Sequence, residues 1–411
     1  MADLSRRGFL SAVGLAGGGA ALTACSWASS GPRASTAAAA TGLVSPYGAH
    51  QAGIVTPQQH SLAFAAFDLT AASQADLVSL LSTWSFAIGR MTAGEAVADD
   101  EGDPGSPPRD TGEAMGLSAG NLTVTVGFGP SLFDGRFGLA SRRPAALADL
   151  PRFPRDALQE PRSGGDLCVQ ACADDPQVAF HAMRNLRRLA EGTAVLRWTQ
   201  QGFGQTSSTS EAQATPRNLM GFMDGTNNLK SEQATEVDRH VWVGAETDQP
   251  WMRGGSYLVA RRIQMLLESW DRDRLSDQEA VIGRRKDTGA PLTGHREHDP
   301  VDLEATGADG EPVLPLTAHV RLANPASNGG IKMLRRGYSF TDGIRPDTGQ
   351  LDAGLFFIAF QKDPRSQFVP LQRNLGAHDA LNEYIRHTGT AVFACPPGIA
   401  RGESLGAALF A

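Results

Sequence analysis

The chain has 411 residues, of which 41% are hydrophobic and 20% charged, a globular composition long enough for two domains and a sizeable buried cavity. A net charge of −7 argues against a polyanion-binding face, so nucleic acid is excluded as the expected partner and a small molecule takes its place.

From the N-terminus, Ser5-Arg6-Arg7-Gly8-Phe9-Leu10 has the paired arginines and following Phe-Leu of a twin-arginine export signal, and a Gly/Ala-rich apolar run continues to Ala24. That run is too short and glycine-rich for a membrane span, which needs about 20 strongly apolar residues. Leu22-Thr23-Ala24-Cys25 resembles a lipobox, with Cys25 as a lipidated first residue; ordinary signal-peptidase cleavage nearby is the alternative. Either way residues 1–25 form a signal peptide, and the protein is expected outside the cytoplasm, in the periplasm, on the cell surface or secreted. The twin-arginine translocase is then a partner, and because that route carries folded proteins, a cofactor inserted beforehand is expected. Residues 26–45, rich in Ser, Ala and Thr, read as a flexible linker.

Beyond the linker, two halves repeat one pattern. In the first (46–212), a strand at 61–70 precedes a helix at 74–88, a strand runs over 121–127, and a further strand ends in Asp175-Pro176. A helix over 177–190 and a strand opening on Gly192-Thr193-Ala194-Val195 complete it. In the second (213–411), a strand at 255–264 and a helix at 268–283 are followed by a strand closing on Asp363-Pro364. A helical region at 368–386 and Gly389-Thr390-Ala391-Val392 follow. Asp can cap a helix whose first turn tolerates Pro, so the repeated Asp-Pro marks two helix starts. The order strand, helix, strand, strand, helix, strand predicts an α+β fold of two tandem, duplicated ferredoxin-like units, with their sheets face to face or edge to edge. The stretches 99–112 and 283–310 have few apolar residues and read as long excursions. Cys168 and Cys172, on one face of one strand, and Cys395 read as small buried apolar residues, with no spacing for zinc or covalent haem.

Three segments carry chemistry. Gly221-Phe222-Met223-Asp224-Gly225-Thr226-Asn227-Asn228 sets one acid in an apolar frame between glycines, which lets the backbone approach a bulky group and partly desolvates the carboxylate. Phosphatases of the haloacid dehalogenase type also use Asp-Gly-Thr, but they need a second Asp two residues earlier, where Phe222 stands. His319, opening residues 319–325 ahead of an extended apolar stretch, can ligate iron through one ring nitrogen while an acceptor holds the other. Arg335 and Arg336 lie in residues 334–340; taken singly, a buried hydrogen-bonded histidine and a solvated basic pair are the better readings of these two segments.

Together with residues 47–58 and 126–134, these segments resemble the dye-decolorizing peroxidase family, and within it the exported branch that includes deferrochelatase/peroxidases. The resemblance implies a ferredoxin-like pair enclosing one haem b per subunit. It further implies a peroxidase that reduces hydrogen peroxide and oxidises dyes, phenolics or other organic electron donors by way of an oxyferryl haem. Residue by residue it places Asp224 as the acid-base, Arg335 as the partner arginine on the same haem face, and His319 as the proximal iron ligand on the other. Gly225, Thr226, Asn227, Asn324, Pro325 and Ala326 are placed beside the haem. Gly337 stands where another branch of the family has Asn, and Asp302, Glu304, Asp309 and Glu311 are all candidates for the carboxylate behind His319, none of them assigned. Tyr338, Trp251 and Trp242 are either electron relays or packing residues. An aspartate, with a reference pKa of about 4, stays ionised at more acidic pH than a histidine, so dye oxidation is expected to favour acid. A haem-handling component of an iron-uptake system is the alternative function, and a homodimer the expected assembly.

Overall fold

The computed structural model describes residues 42–99 and 102–411, so the export signal, the lipobox and most of the linker lie outside the described residues. The first half runs β1 (Ser61–Leu69), α1 (Gln74–Thr92), β2 (Thr123–Phe128), β3 (Leu167–Ala173), α2 (Pro176–Leu189) and β4 (Ala194–Gln205), in the expected order. Asp175 caps α2 by accepting the Gln177 N–H at 2.7 Å, with Pro176 in the first turn where a missing N–H costs nothing. Ser73 caps α1 in a reciprocal capping box with Asp76.

The second half departs from expectation in four places. After a short helix α3 (Ala234–His240) and strand β5 (Ser256–Met265), the helix expected at 268–283 is two, α4 (Leu267–Trp270) and α5 (Leu275–Ile282), broken at a charged turn. The segment opened by His319 is a five-residue helix, α6 (His319–Ala323), rather than extended chain. Short strands β6 (Leu334–Arg335) and β7 (Tyr338–Ile344) lead to β8 (Leu351–Gln361) and α7 (Phe368–His378), and α7 stops well short of 386. Asp379 takes extended backbone there and its side chain accepts the Leu381 N–H, so β9 (Ile385–Cys395) begins early and Gly389 falls inside it. The second Asp-Pro does not cap: Asp363 binds Arg365 in a turn, and Gln367 precedes α7.

All strand pairings named here are antiparallel, and the sheet runs β5-β9-β2-β3-β1-β4-β7-β8, with β8 also paired to β5, so the ring closes. The two halves join edge to edge, at Phe128↔Ala394 and at Phe203↔Ser339. Closure buries both faces of the strands, which is why β1 reads as a continuous apolar run. Its Leu62, Phe64 and Ala66 face an inner core with Phe356, Phe393 and the free, buried Cys168, Cys172 and Cys395. Ala63, Ala65 and Phe67 face the helices α1 and α2, where Trp84 is fully buried and its indole N–H reaches Leu186 O at 2.9 Å. Tyr338, Trp251 and Trp242 are all buried within these cores.

The loop between α1 and β2 is pinned to α2 through Glu113, which faces His181 Nδ1 at 3.3 Å and accepts from Arg184 Nη1 at 3.1 Å. Burial works against its charge, but hydrogen bonds from Thr111, its own backbone, His181 and Arg184 win and hold its carboxyl at about 2, below the ordinary 4.5. A depressed carboxylate contributes stability above its unfolded pKa and loses it as pH falls through the folded one. Glu113→Gln is therefore expected to lower the Tm at neutral pH, with the gap to wild type narrowing between pH 4.5 and about 2. A gap that stays constant across that window in thermal melts contradicts the assignment.

Candidate active site

Between β5, β8 and the helices α6 and α7 lies a cavity whose wall includes Ile263, Leu355, Phe357 and Leu371. The register of the strands decides this lining: Phe356 and Ile358 turn into the inner core while their neighbours Leu355 and Phe357 face the cavity.

Asp224 enters from the loop before α3. Residues 216–223 fold back on themselves, with Asn218 N–H on Phe222 O at 3.0 Å and Asp224 N–H on Pro216 O at 2.9 Å. Phe222 anchors the turn in a small core against Trp270, ring centroids 5.9 Å apart. Gly225, at φ +92, is needed for a reason the sequence does not display: a Cβ there would stand 2.8 Å from Ser207 Cα. The close approach that the structure shows is to the protein's own backbone.

Arg335 comes from β6. Its Nη1 donates to Asp224 Oδ1 at 2.8 Å, while Asp224 Oδ2 accepts a longer bond from Asn218 Nδ2 at 3.3 Å. Both side chains keep part of their surface open, 30% for Arg335 and 18% for Asp224, and both line the cavity. Arg336, one residue on, points the other way: it is fully buried, its guanidinium bonded to Thr56 O and Gln59 Oε1, so the two arginines are not a solvated pair.

His319 opens α6. Its Nδ1 lies 2.6 Å from Asp379 Oδ2, and an ionised carboxylate can only accept, so Nδ1 carries the proton and Nε2 remains without a protein partner among the described residues. Burial pushes the imidazole pKa down, but the Asp379 charge and hydrogen bond outweigh it, and the pKa stands above 6.5; Asp224 adds to the rise and Arg335 opposes it. The carboxylate behind His319 is thus Asp379, and none of Asp302, Glu304, Asp309 and Glu311. Asp379 lies 60 residues downstream at the end of α7 and is brought in by the packing of α6 on α7.

Gly225, Thr226, Asn227, Asn324 and Pro325 also line the cavity, but Ala326 does not: it is exposed, its N–H capped by Asn324 Oδ1 at 2.9 Å. The excursion at 283–310 contributes a residue the sequence reading missed, Arg284, held just past α5 by Gly283 at φ +90. Arg284 is buried at the cavity wall, and among the described residues only its Nη1 is bonded to protein, to Gly289 O and Glu297 O. A cation placed after a glycine-terminated helix was the available signal.

Against known proteins, residues 51–204 match the description "Dyp-type peroxidase, N-terminal" and residues 215–400 match "Dyp-type peroxidase, C-terminal". Fold and site thus define a peroxidase, an oxidoreductase acting on peroxide. The chain belongs to the Dyp-type peroxidase family, with the duplicated α+β architecture of that fold. It is 40% identical to a deferrochelatase of Escherichia coli O6:K15:H31 over 88% of this chain and 86% of that one. It is also similar to solved structures of the oxyferrous complex of DtpA from Streptomyces lividans (44% identity, TM-score 0.82, covering 90% and 98%) and of a DyP-type peroxidase from Streptomyces coelicolor (45%, 0.82, 89% and 96%).

Removing Asp379 leaves burial as the leading influence on His319. Asp379→Ala is expected to bring the imidazole pKa from above to below 6.5, read by NMR titration of the ligand-free protein. An unmoved titration contradicts the role given to Asp379.

Proposed function

We propose that this chain is a haem peroxidase that reduces hydrogen peroxide and oxidises organic electron donors, with Asp224 and Arg335 as its acid-base machinery and His319 as the iron ligand. The observation that carries the reading is one cavity bounded both by a histidine with a committed Nδ1 and an uncommitted Nε2 and by an aspartate ion-paired to an arginine. The residues present fit a haem b: apolar side chains for the macrocycle, His319 Nε2 for the iron, and the remaining nitrogens of Arg284 for a peripheral carboxylate. Haem, when bound, supplies the iron at which the peroxide O–O bond is broken and the store of oxidising equivalents for the donor.

The protein's own contribution is to move one proton and to hold charge. Peroxide must lose a proton from one oxygen and gain it on the other for the O–O bond to break heterolytically. Asp224 Oδ1 is engaged by Arg335, so Oδ2, whose single bond among the described residues is the long one from Asn218, is the oxygen that takes the proton and returns it. Arg335, permanently charged, steadies the negative charge developing on the departing oxygen and keeps Asp224 oriented. Asp379 holds His319 in the tautomer that offers Nε2.

Export through the twin-arginine route, with or without a lipid anchor at Cys25, completes the reading and rests on residues 5–25. A second reading, removal of iron from haem within an iron-uptake system, is favoured by the 40% identity to a protein named deferrochelatase. Incubation with haem, followed by a search for metal-free porphyrin, separates the two activities.

For the peroxidase, Asp224→Asn and Arg335→Leu are each expected to keep the haem Soret band but slow the first spectral change after peroxide mixing by roughly 100-fold or more. His319→Ala is expected to weaken haem retention itself. Stopped-flow traces at the wild-type rate in both cavity variants contradict the assignment.

A further inference from the structure

Arg335 is held at both of its ends by one short loop. Its guanidinium meets Asp224, and its backbone meets a side chain four residues further along that loop: Asn228 Oδ1 accepts the Arg335 N–H at 2.8 Å, and Asn228 Nδ2 donates to the Arg335 carbonyl at 2.8 Å. The sheet explains why those backbone groups are available. Arg336 N–H bonds Ile358 O, so in the pairing of β6 with β8 the groups of Arg336 point at β8 and those of Arg335 point away from it, to the side where no strand of the sheet lies among the described residues. A single amide, with a donor and an acceptor side by side, fills the place of a neighbouring strand.

Asn228 is itself fixed. It is buried, its second Nδ2 hydrogen goes to Ser208 O at 3.0 Å, and its own N–H closes a turn onto Gly225 O at 3.0 Å. It does not line the cavity.

We infer that Asn228 is a positioning residue for peroxide reduction: it sets the backbone of Arg335 in register with Asp224, so that the guanidinium reaches both the carboxylate and the cavity. The inference rests on the proposed role of Arg335. Asn suits this point because its short amide presents a donor and an acceptor side by side, whereas the amide of Gln stands a methylene further out and a neutral imidazole directs its donor and acceptor away from each other.

The test uses the haem-loaded protein in four variants, Asn228→Ala, Asn228→Asp, Arg335→Leu and the double Asn228→Ala/Arg335→Leu. The readouts are haem content from the Soret band, the stopped-flow rate with hydrogen peroxide, and the equilibrium Kd for cyanide, an anion that reports the guanidinium without turnover. The carboxylate introduced by Asn228→Asp keeps the acceptor for the Arg335 N–H but loses both donors. N228A and N228D are therefore each expected to retain haem, slow the peroxide reaction roughly 10-fold or more, and weaken cyanide binding. In the Arg335→Leu background, Asn228→Ala is expected to change neither quantity. Wild-type rate and cyanide affinity in both single variants overturn the proposal. Equal slowing with and without Arg335 overturns it too, because Asn228 then acts through something else. Loss of haem from both single variants makes Asn228 a structural residue of the loop and also overturns it. A wild-type rate in Arg335→Leu alone removes the proposed role of Arg335 instead.

Discussion

The contact on which the site depends is the ion pair between Arg335 and Asp224. Two charges at 2.8 Å, each still partly open to the cavity, cannot be treated as a surface pair of negligible worth, nor as a dry pair whose desolvation outweighs its attraction. Each holds the other at the edge of a largely apolar space. The pairing also leaves the carboxylate asymmetric, with one oxygen fixed and the other nearly free. In the acid-base role proposed for Asp224, that asymmetry makes the oxygen that orients and the oxygen that carries the proton different atoms.

The pair can form because a closed sheet fixes its register. In β6 a shift of one residue would exchange Arg335 with Arg336, taking one guanidinium out of the cavity and placing the other in it. The same alternation in β8 sends Phe356 inward and Leu355 and Phe357 to the cavity. Closure of the ring through β5 and β8, and the edge-to-edge joining of the two halves, leave little freedom for such a slip. On the helical side α7 ends where Asp379 is needed, and that ending places a carboxylate behind His319. The duplicated fold therefore builds the parts of the site by different means, strand register for Arg335, a folded-back turn for Asp224 and a helix terminus for His319.

Much of this could be read from the chain before any coordinates. Local patterns carried the strand and helix order of the first half, the Asp175 cap and the burial of the three cysteines, because each depends on neighbours within a few residues. Motif resemblance pointed to Asp224, His319 and Arg335, and the structure brings the three to one cavity. What could not be read depends on distant contacts: Asp379 belongs to His319 only after α6 and α7 pack, and acidic residues nearer in sequence drew attention away from it. Arg284 was hidden in a polar stretch that looked like an excursion. The expected helix over 368–386 failed because apolar spacing continues past Asp379 while tertiary hydrogen bonds stop the helix there. Ala326 was carried along with its neighbours, although the turn begun by Asn324 leaves it outside the wall.

The central claim is that Asp224 and Arg335 work as one unit on peroxide, on the reading proposed for this cavity. A double-mutant cycle tests it most directly, comparing the stopped-flow peroxide rate of haem-loaded Asp224→Asn, Arg335→Leu and the double variant. The account predicts that the double variant is about as slow as the slower single one, since breaking either partner already disables the unit. Losses that simply multiply would mean two independent groups and would contradict it.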